Sequence, residues 1–65
     1  MDYMNKIRNM RKERGITQAA MAELLDTTQQ QYSKYEQGIH ELPIRHLIII
    51  CKTFNISADE LLSLK

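Results

Sequence analysis

Apolar residues recur along this chain at intervals of three and four, which is the period of an amphipathic α-helix and not the alternating spacing of a strand. Gly15, Gly38 and Pro43 interrupt the pattern where one helical repeat stops and the next begins. The positions predicted to face inward, helix by helix, are Met4, Ile7, Met10 and Arg11; Met21, Ala22 and Leu25; Tyr32, Tyr35 and Glu36; Leu47, Ile50, Cys51 and Phe54; and Ala58, Leu61 and Leu62. The pattern therefore predicts an all-α fold of five helices.

Residues suited to helix ends stand at the boundaries of these segments. They are Thr17, Thr28 and Ser57 at the starts of the second, third and fifth helices, and Gly15 and Gly38 at the ends of the first and third. Pro43 suits the first turn of the fourth helix, where a missing N–H costs nothing. Only Asp26 and Thr27 separate the second and third helices, and Asp26 tolerates a tight turn. These two short helices predict a helix-turn-helix over about residues 18–37.

The outward face of the third helix is polar and carries no carboxylate. Its residues are Gln30, Ser33, Lys34 and Gln37, which lie opposite Tyr32 and Tyr35. A glutamine amide donates and accepts in one plane, as the N6 and N7 edge of adenine requires, and the Thr28 methyl suits a thymine methyl. The face is therefore suited to base edges in the major groove of double-stranded DNA.

The net charge of the chain is only +1, but the positive charge is concentrated in the first helix. Residues 1–14 hold five basic and two acidic residues, a net charge of +3, whereas residues 15–38 have a net charge of −2. Lys6, Arg8 and Lys12 suit either phosphate contacts or a solvated helix face, and both interpretations stay open.

Length and composition narrow the classes of protein. A chain of 65 residues suits one domain, expected over residues 1–65 with its core at about residues 7–62. The single cysteine, Cys51, excludes a disulfide framework and favours a reducing, cytoplasmic setting. The longest apolar run, Leu47–Cys51, is far shorter than the roughly 20 residues that span a bilayer, so no membrane association is expected. No acid, base and nucleophile cluster predicts an enzyme, and no cofactor is expected.

The residues that most often bind metals or stack on bases have structural explanations here. His40, His46 and Cys51 lack the close spacing of zinc ligands, so we expect no metal site, surface or helix-flank positions for the histidines and a core position for the cysteine. Tyr32 and Tyr35 are expected in the core and not as stacking platforms for a single strand.

Several motifs together resemble the lambda repressor and Cro-like helix-turn-helix family, also called XRE-like. They are Ile7 with Arg11, Gly15-Ile16-Thr17-Gln18, Met21-Ala22, Thr27-Thr28-Gln29-Gln30, Tyr35-Glu36-Gln37-Gly38, Glu41-Leu42-Pro43, Asn55-Ile56-Ser57 and Leu61-Leu62. The resemblance covers nearly the whole chain. It implies a five-helix lambda repressor-like domain that binds a palindromic operator as a homodimer and regulates transcription, most simply as a repressor.

The resemblance also assigns roles to individual residues. Gln29 and Gln30 would contact bases, and Lys34 would occupy the next base-facing turn. Gln18, at the start of the second helix, would hold a backbone phosphate and brace the first of these glutamines.

A buried ion pair between Arg11 and Glu36 is a further implication of the resemblance. The helical pattern agrees with it, because Glu36 faces inward and a buried charge needs a partner.

The loop after Gly38 departs from the phage repressors of this family. Residues 39–42, Ile-His-Glu-Leu, stand where phosphate-binding lysines and arginines often occur, and His40 is the one protonatable candidate. The mild net charge and this neutral loop favour an alternative function, an antitoxin-like or adaptor module that uses the same fold to bind another protein.

Two surfaces are candidates for subunit contacts. Ile49 is expected to project into water opposite Leu47 and Phe54, with Ile48 at its rim. The C-terminal helix, which ends at Leu64 and Lys65, is the second candidate.

Overall fold

The computed structural model describes residues 3–64 and contains five helices. They are α1 (Tyr3–Glu13), α2 (Gln18–Leu24), α3 (Gln29–Glu36), α4 (Ile44–Phe54) and α5 (Ala58–Leu62). No strand occurs within the described residues, so the predicted all-α fold is confirmed. Lys65, the last residue of the C-terminal candidate surface, lies outside them.

The predicted N-caps are all in place. The side-chain oxygens of Thr17, Thr28 and Ser57 each accept a hydrogen bond of 3.1 Å from the backbone N–H three residues later. At α5 the bond is part of a capping box, in which the Glu60 carboxylate accepts from the Ser57 backbone N–H. Local sequence signals therefore define where α2, α3 and α5 begin.

Two expectations about helix starts were wrong. Pro43 precedes α4 as its N-cap, with an extended ψ of 151°, and the first helical residue is Ile44. Ala58 is exposed and does not face the core. Helix α5 has only five residues, and the larger Leu61 and Leu62 supply its contact with the core, so its first residue projects into solvent.

The core lies between the helices and takes at least one side chain from each of them. Its buried apolar members are Met4, Ile7, Met21, Ala22, Leu25, Tyr32, Tyr35, Leu47, Ile50, Phe54 and Leu61. Met10, Cys51 and Leu62, which were also predicted to face inward, are half-buried and pack against this cluster. Helix α3 packs against α2 and α1, while α5 packs against α1 and α4, so α1 joins the helix-turn-helix to the C-terminal helices.

The buried stripe of α4 is wider than the sequence predicted. Ile49 is half-buried and packs against the core, whereas Ile48 is 49% exposed, so the expectation that Ile49 projects into water was wrong. The reason is His46, which is buried. A residue three positions later on a helix lies within about 60° of it, so burial of His46 brings Ile49 inward as well.

None of the helices within residues 3–64 is long and apolar enough to cross a membrane.

Candidate nucleic-acid interface

The turn between α2 and α3 is closed by two backbone hydrogen bonds. The N–H of Asp26 donates to the Glu23 carbonyl at 3.1 Å and the N–H of Thr27 donates to the Ala22 carbonyl at 2.9 Å. This is a Schellman ending, and it needs one left-handed residue, here Asp26 with a φ of 56°. Aspartate adopts this region more readily than most residues, so the turn forms without glycine. The turn fixes the direction in which α3 leaves α2.

The outward face of α3 borders an open depression of about 550 Å³. Its lining residues are Gln18, Gln29, Gln30, Ser33, Lys34, Gln37 and Ile39. Six of the seven residues predicted to bind DNA therefore lie around one depression. Thr28, the seventh, is the N-cap of α3 and its hydroxyl accepts from the Gln31 N–H.

The depression combines amide groups with one positively charged side chain. Gln29, Gln30, Lys34 and Gln37 are exposed, and the Gln37 amide nitrogen donates to the Ser33 hydroxyl at 2.9 Å. No carboxylate belongs to the described lining, so nothing in it repels a phosphate or a carbonyl edge. A surface of this kind can both donate and accept hydrogen bonds with base edges.

Beneath the depression, the Glu36 carboxylate accepts four hydrogen bonds. Arg11 donates two of them, from Nε at 2.8 Å and from its terminal nitrogen Nη2 at 3.1 Å. The Tyr32 hydroxyl donates the third, and the Gln18 amide nitrogen donates the fourth at 3.0 Å. The Arg11 and Glu36 side chains are only 9% and 3% exposed. The last turn of α3 is thereby tied to α1 and to the start of α2.

The ionisation of this cluster follows from its hydrogen bonds. Burial by itself would raise the pKa of Glu36, but the hydrogen bonds from Arg11, Tyr32 and Gln18, together with the Arg11 charge, lower that pKa overall. Burial and the adjacent Glu36 carboxylate raise the pKa of Tyr32. Glu36 is therefore ionised near pH 7, so that its carboxylate can accept all four hydrogen bonds. Tyr32 is neutral, so that its hydroxyl can donate one of them.

Gln18 makes a contact that the family resemblance did not imply. Its amide donates to the buried Glu36 carboxylate, and the brace to Gln29 that the resemblance implied stays a prediction. The sequence carries no local signal of this contact, because the two residues are 18 positions apart. Gln18 therefore connects the depression to the buried ion pair.

The basic residues of α1, and Arg14 directly after it, take part in contacts within the protein. Lys6 Nζ donates to the Ser63 hydroxyl at 2.6 Å, at the C-terminal end of α5. The Arg14 guanidinium lies 4.8 Å from the centre of the Phe54 ring, and Arg8 is hydrogen-bonded to a neighbour on its own helix. These contacts give three of the cations an intramolecular role, so their charge alone does not indicate a phosphate site.

His46 was expected at the surface or on a helix flank, and this was wrong. It is 4% exposed, its ring centre lies 5.8 Å from that of Tyr35, and its Nδ1 atom is buried without a hydrogen-bond partner. Burial and the charge of Arg45 lower its pKa, and the opposing effect of Asp26 is smaller. The signal was present in the sequence, because His46 precedes the buried Ile50 by one helical turn.

His40 is exposed, as expected, and Cys51 is half-buried. Burial raises the pKa of the Cys51 thiol, which favours the unreactive protonated form. Within residues 3–64, no three histidine, cysteine, aspartate or glutamate side chains are grouped closely enough to hold a metal ion.

Comparisons with known proteins agree with this architecture. Residues 7–61 match the sequence profile of the family described as Helix-turn-helix. An uncharacterized HTH-type transcriptional regulator of Rickettsia conorii is 32% identical over 54 residues, which are 83% of this chain and 43% of that protein. A second such regulator, from Rickettsia prowazekii, is also 32% identical over 54 residues, 83% of this chain and 42% of its own length.

YobD, an uncharacterized HTH-type transcriptional regulator of Bacillus subtilis, is 27% identical over 62 residues, 95% of this chain and 55% of that protein. The chain thus spans about half the length of these relatives. No solved structure gives a significant match. The helices and the turn between α2 and α3 define a helix-turn-helix protein, and the chain belongs to the helix-turn-helix family.

Proposed function

We propose that this chain is a sequence-specific regulator of transcription that binds double-stranded DNA and places α3 in the major groove. The observation that carries the proposal is a depression along the outward face of α3, with exposed amides from Gln29, Gln30 and Gln37 and the ammonium of Lys34. Amide groups match the paired donor and acceptor of an adenine edge, and an ammonium matches the acceptors of guanine.

The residues around the depression have distinct proposed roles. Gln29 and Gln30, in the first turn of α3, contact bases, and Lys34 contacts a base one turn further along. Gln37 and Ser33, which are hydrogen-bonded to each other, form the rim of the interface. Gln18 contacts a backbone phosphate, since its amide has a second N–H besides the one that Glu36 accepts. The Thr28 methyl packs on a base at the entry of the helix.

A palindromic operator and a homodimer complete the proposal. In this arrangement two copies of α3 enter half-sites about 34–36 Å apart, one helical turn of DNA. We assign the subunit contact to the exposed strip of α4 that Ile44 and Ile48 form, one turn apart and 70% and 49% exposed. Repression follows from occupying a promoter, needs no chemistry from the protein, and places it in the cytoplasm with the DNA.

The first test is selection of bound duplexes from a random pool, followed by binding measurements at several salt concentrations. We expect one preferred motif with two-fold symmetry and an affinity that falls steeply with salt. Gln29→Ala and Gln30→Ala are expected to relax the preference at one or two positions, by about 1–3 kcal/mol each. Gln31→Ala is the matched control, because Gln31 is on the same helix but outside the depression. If both variants select the wild-type motif unchanged, the assignment of this face is wrong.

An antitoxin-like or adaptor function on the same fold is the second candidate. Two exposed isoleucines favour it: Ile39, which is 60% exposed in the neutral loop, and Ile44. Under this alternative, random-pool selection returns no motif, and the affinity for DNA is weak at every sequence. A stable complex with a protein encoded beside it would then be the expected finding.

A further inference from the structure

The C-terminal end of α3 holds Ile39 in a fixed position. The N–H of Gly38 donates to the Tyr35 carbonyl at 3.1 Å and the N–H of Ile39 donates to the Lys34 carbonyl at 3.0 Å. Gly38 has a φ of 77°, so this is a second Schellman ending. Ile39 therefore has a backbone position determined by α3 itself, although it belongs to the following loop.

Ile39 combines this fixed position with unusual exposure. Its side chain is 60% exposed, and it lines the same depression as Gln29, Gln30 and Lys34. Among the seven described residues of that lining, it alone has a hydrocarbon side chain. The Schellman ending usually packs this residue on its own helix, but here the residue it would cover is Lys34, which is itself exposed.

An apolar group at this place suits one chemical feature of the major groove. Base edges there present hydrogen-bond donors, hydrogen-bond acceptors and the C5 methyl group of thymine, which is the apolar member of the set. Isoleucine gives a phosphate neither a charge nor a hydrogen bond. Contact with a thymine methyl removes apolar surface of both groups from water, and this contact is favourable.

We propose that Ile39 is a specificity-determining residue that packs against the C5 methyl group of a thymine in the operator. The proposal rests on the proposed function, since it requires α3 to enter the major groove. It adds an apolar contact to the polar contacts of Gln29, Gln30 and Lys34, and it gives the loop after Gly38 a role in sequence preference. The loop then contributes selectivity at the place where a basic residue would contribute general affinity.

The test replaces each thymine of the selected duplex by deoxyuridine, one position at a time, because this removes only the C5 methyl group. Wild-type protein is compared with Ile39→Ala and with Leu24→Ala, since Leu24 is an apolar residue of α2 that is 41% exposed and lies outside the depression. We expect wild type and Leu24→Ala to lose about three- to fivefold in affinity at the thymine that Ile39 contacts, the value of about one buried methyl group. Ile39→Ala is expected to bind the unmodified duplex more weakly and to lose nothing further at that position.

An Ile39→Ala variant with the wild-type response at every thymine would overturn the proposal. The same holds if Ile39→Ala changes the oligomeric state of the free protein and leaves base preference intact, because Ile39 would then contact protein. Ile39→Val keeps part of the side chain and should respond between wild type and Ile39→Ala, which separates a contact from a folding defect. Failure of the proposed function is distinguishable, because in that case selection yields no duplex to modify.

Discussion

Replacing Glu36 by glutamine removes one charge from the buried cluster while keeping the size of the side chain. In the native structure Arg11 donates two hydrogen bonds to Glu36, and both side chains are less than a tenth exposed. In the Glu36→Gln variant the Arg11 guanidinium stays buried without an opposite charge. The carboxylate that accepts four hydrogen bonds also becomes an amide, which can accept at only one of its two terminal atoms.

The expected loss follows from the burial of the pair. Removing one partner of a buried ion pair costs about 3–5 kcal/mol, because the other charge is left uncompensated. A chain of 65 residues has a free energy of unfolding of roughly 3–10 kcal/mol, at about 0.05–0.15 kcal/mol per residue. The variant therefore loses about 30% or more of its free energy of unfolding. At about 4–8 °C for each kcal/mol, its Tm falls by at least about 12 °C.

The assay is urea unfolding at pH 7, followed by circular dichroism, together with a thermal scan. Glu41→Gln is the control, because Glu41 is exposed and its loss should change stability by less than about 0.5 kcal/mol. A triple variant, Arg11→Met with Tyr32→Phe and Glu36→Leu, should recover most of the loss, since it leaves neither a buried charge nor a buried Tyr32 hydroxyl without its acceptor. If Glu36→Gln unfolds within 0.5 kcal/mol of wild type, as Glu41→Gln should, the reasoning about the buried pair is refuted.

Three further predictions concern pH, capping and the link to α2. The lowered pKa of His46 means that its stabilising effect is complete above the ordinary value of 6.5 and is lost as pH falls below it, so the free energy of unfolding of wild type should fall below pH 6.5. His46→Phe should lose less over the same range, and equal pH profiles for the two proteins would contradict this. Ser57→Ala should lower the free energy of unfolding by about 1 kcal/mol through the missing cap, measured by urea unfolding, and no loss would mean that α5 is held by packing alone. Gln18→Glu places a second carboxylate beside Glu36 and should destabilise the fold more than Gln18→Leu at pH 7. The reverse order of Tm values in thermal scans would contradict the contact between Gln18 and Glu36.

Local signals in the sequence were sufficient for most of the fold. A threonine or serine followed by a helical repeat identifies a cap from neighbouring residues alone, and Thr17, Thr28 and Ser57 form the expected bonds. The left-handed turn at Asp26 is local in the same way. Ala58 was misplaced because the depth of a short terminal helix depends on how it packs, and one apolar residue in a pattern does not determine that.

The features that were missed depend on contacts between distant residues. The width of the buried stripe on α4, which includes His46 and Ile49, is set by the helices packed against it. The contact between Gln18 and Glu36 joins two helices across the helix-turn-helix. Ile39 was seen in the sequence only as a missing cation, and its place beside Gln29 and Gln30 depends on the left-handed backbone at Gly38.

In the proposed complex, glutamines on α3 contact the edges of base pairs, and replacing adenine by 7-deazaadenine is a direct test of this contact. This base lacks the N7 acceptor of the major-groove edge but keeps its Watson–Crick pairing. Placed at each adenine of the selected duplex in turn, it should weaken wild-type and Gln31→Ala binding by about 5-fold or more at one or two positions. At each of those positions, one of the variants Gln29→Ala and Gln30→Ala should show no further loss of affinity, because it already lacks the glutamine that contacts the base. Equal losses for all four proteins at every position would contradict the proposed glutamine contacts.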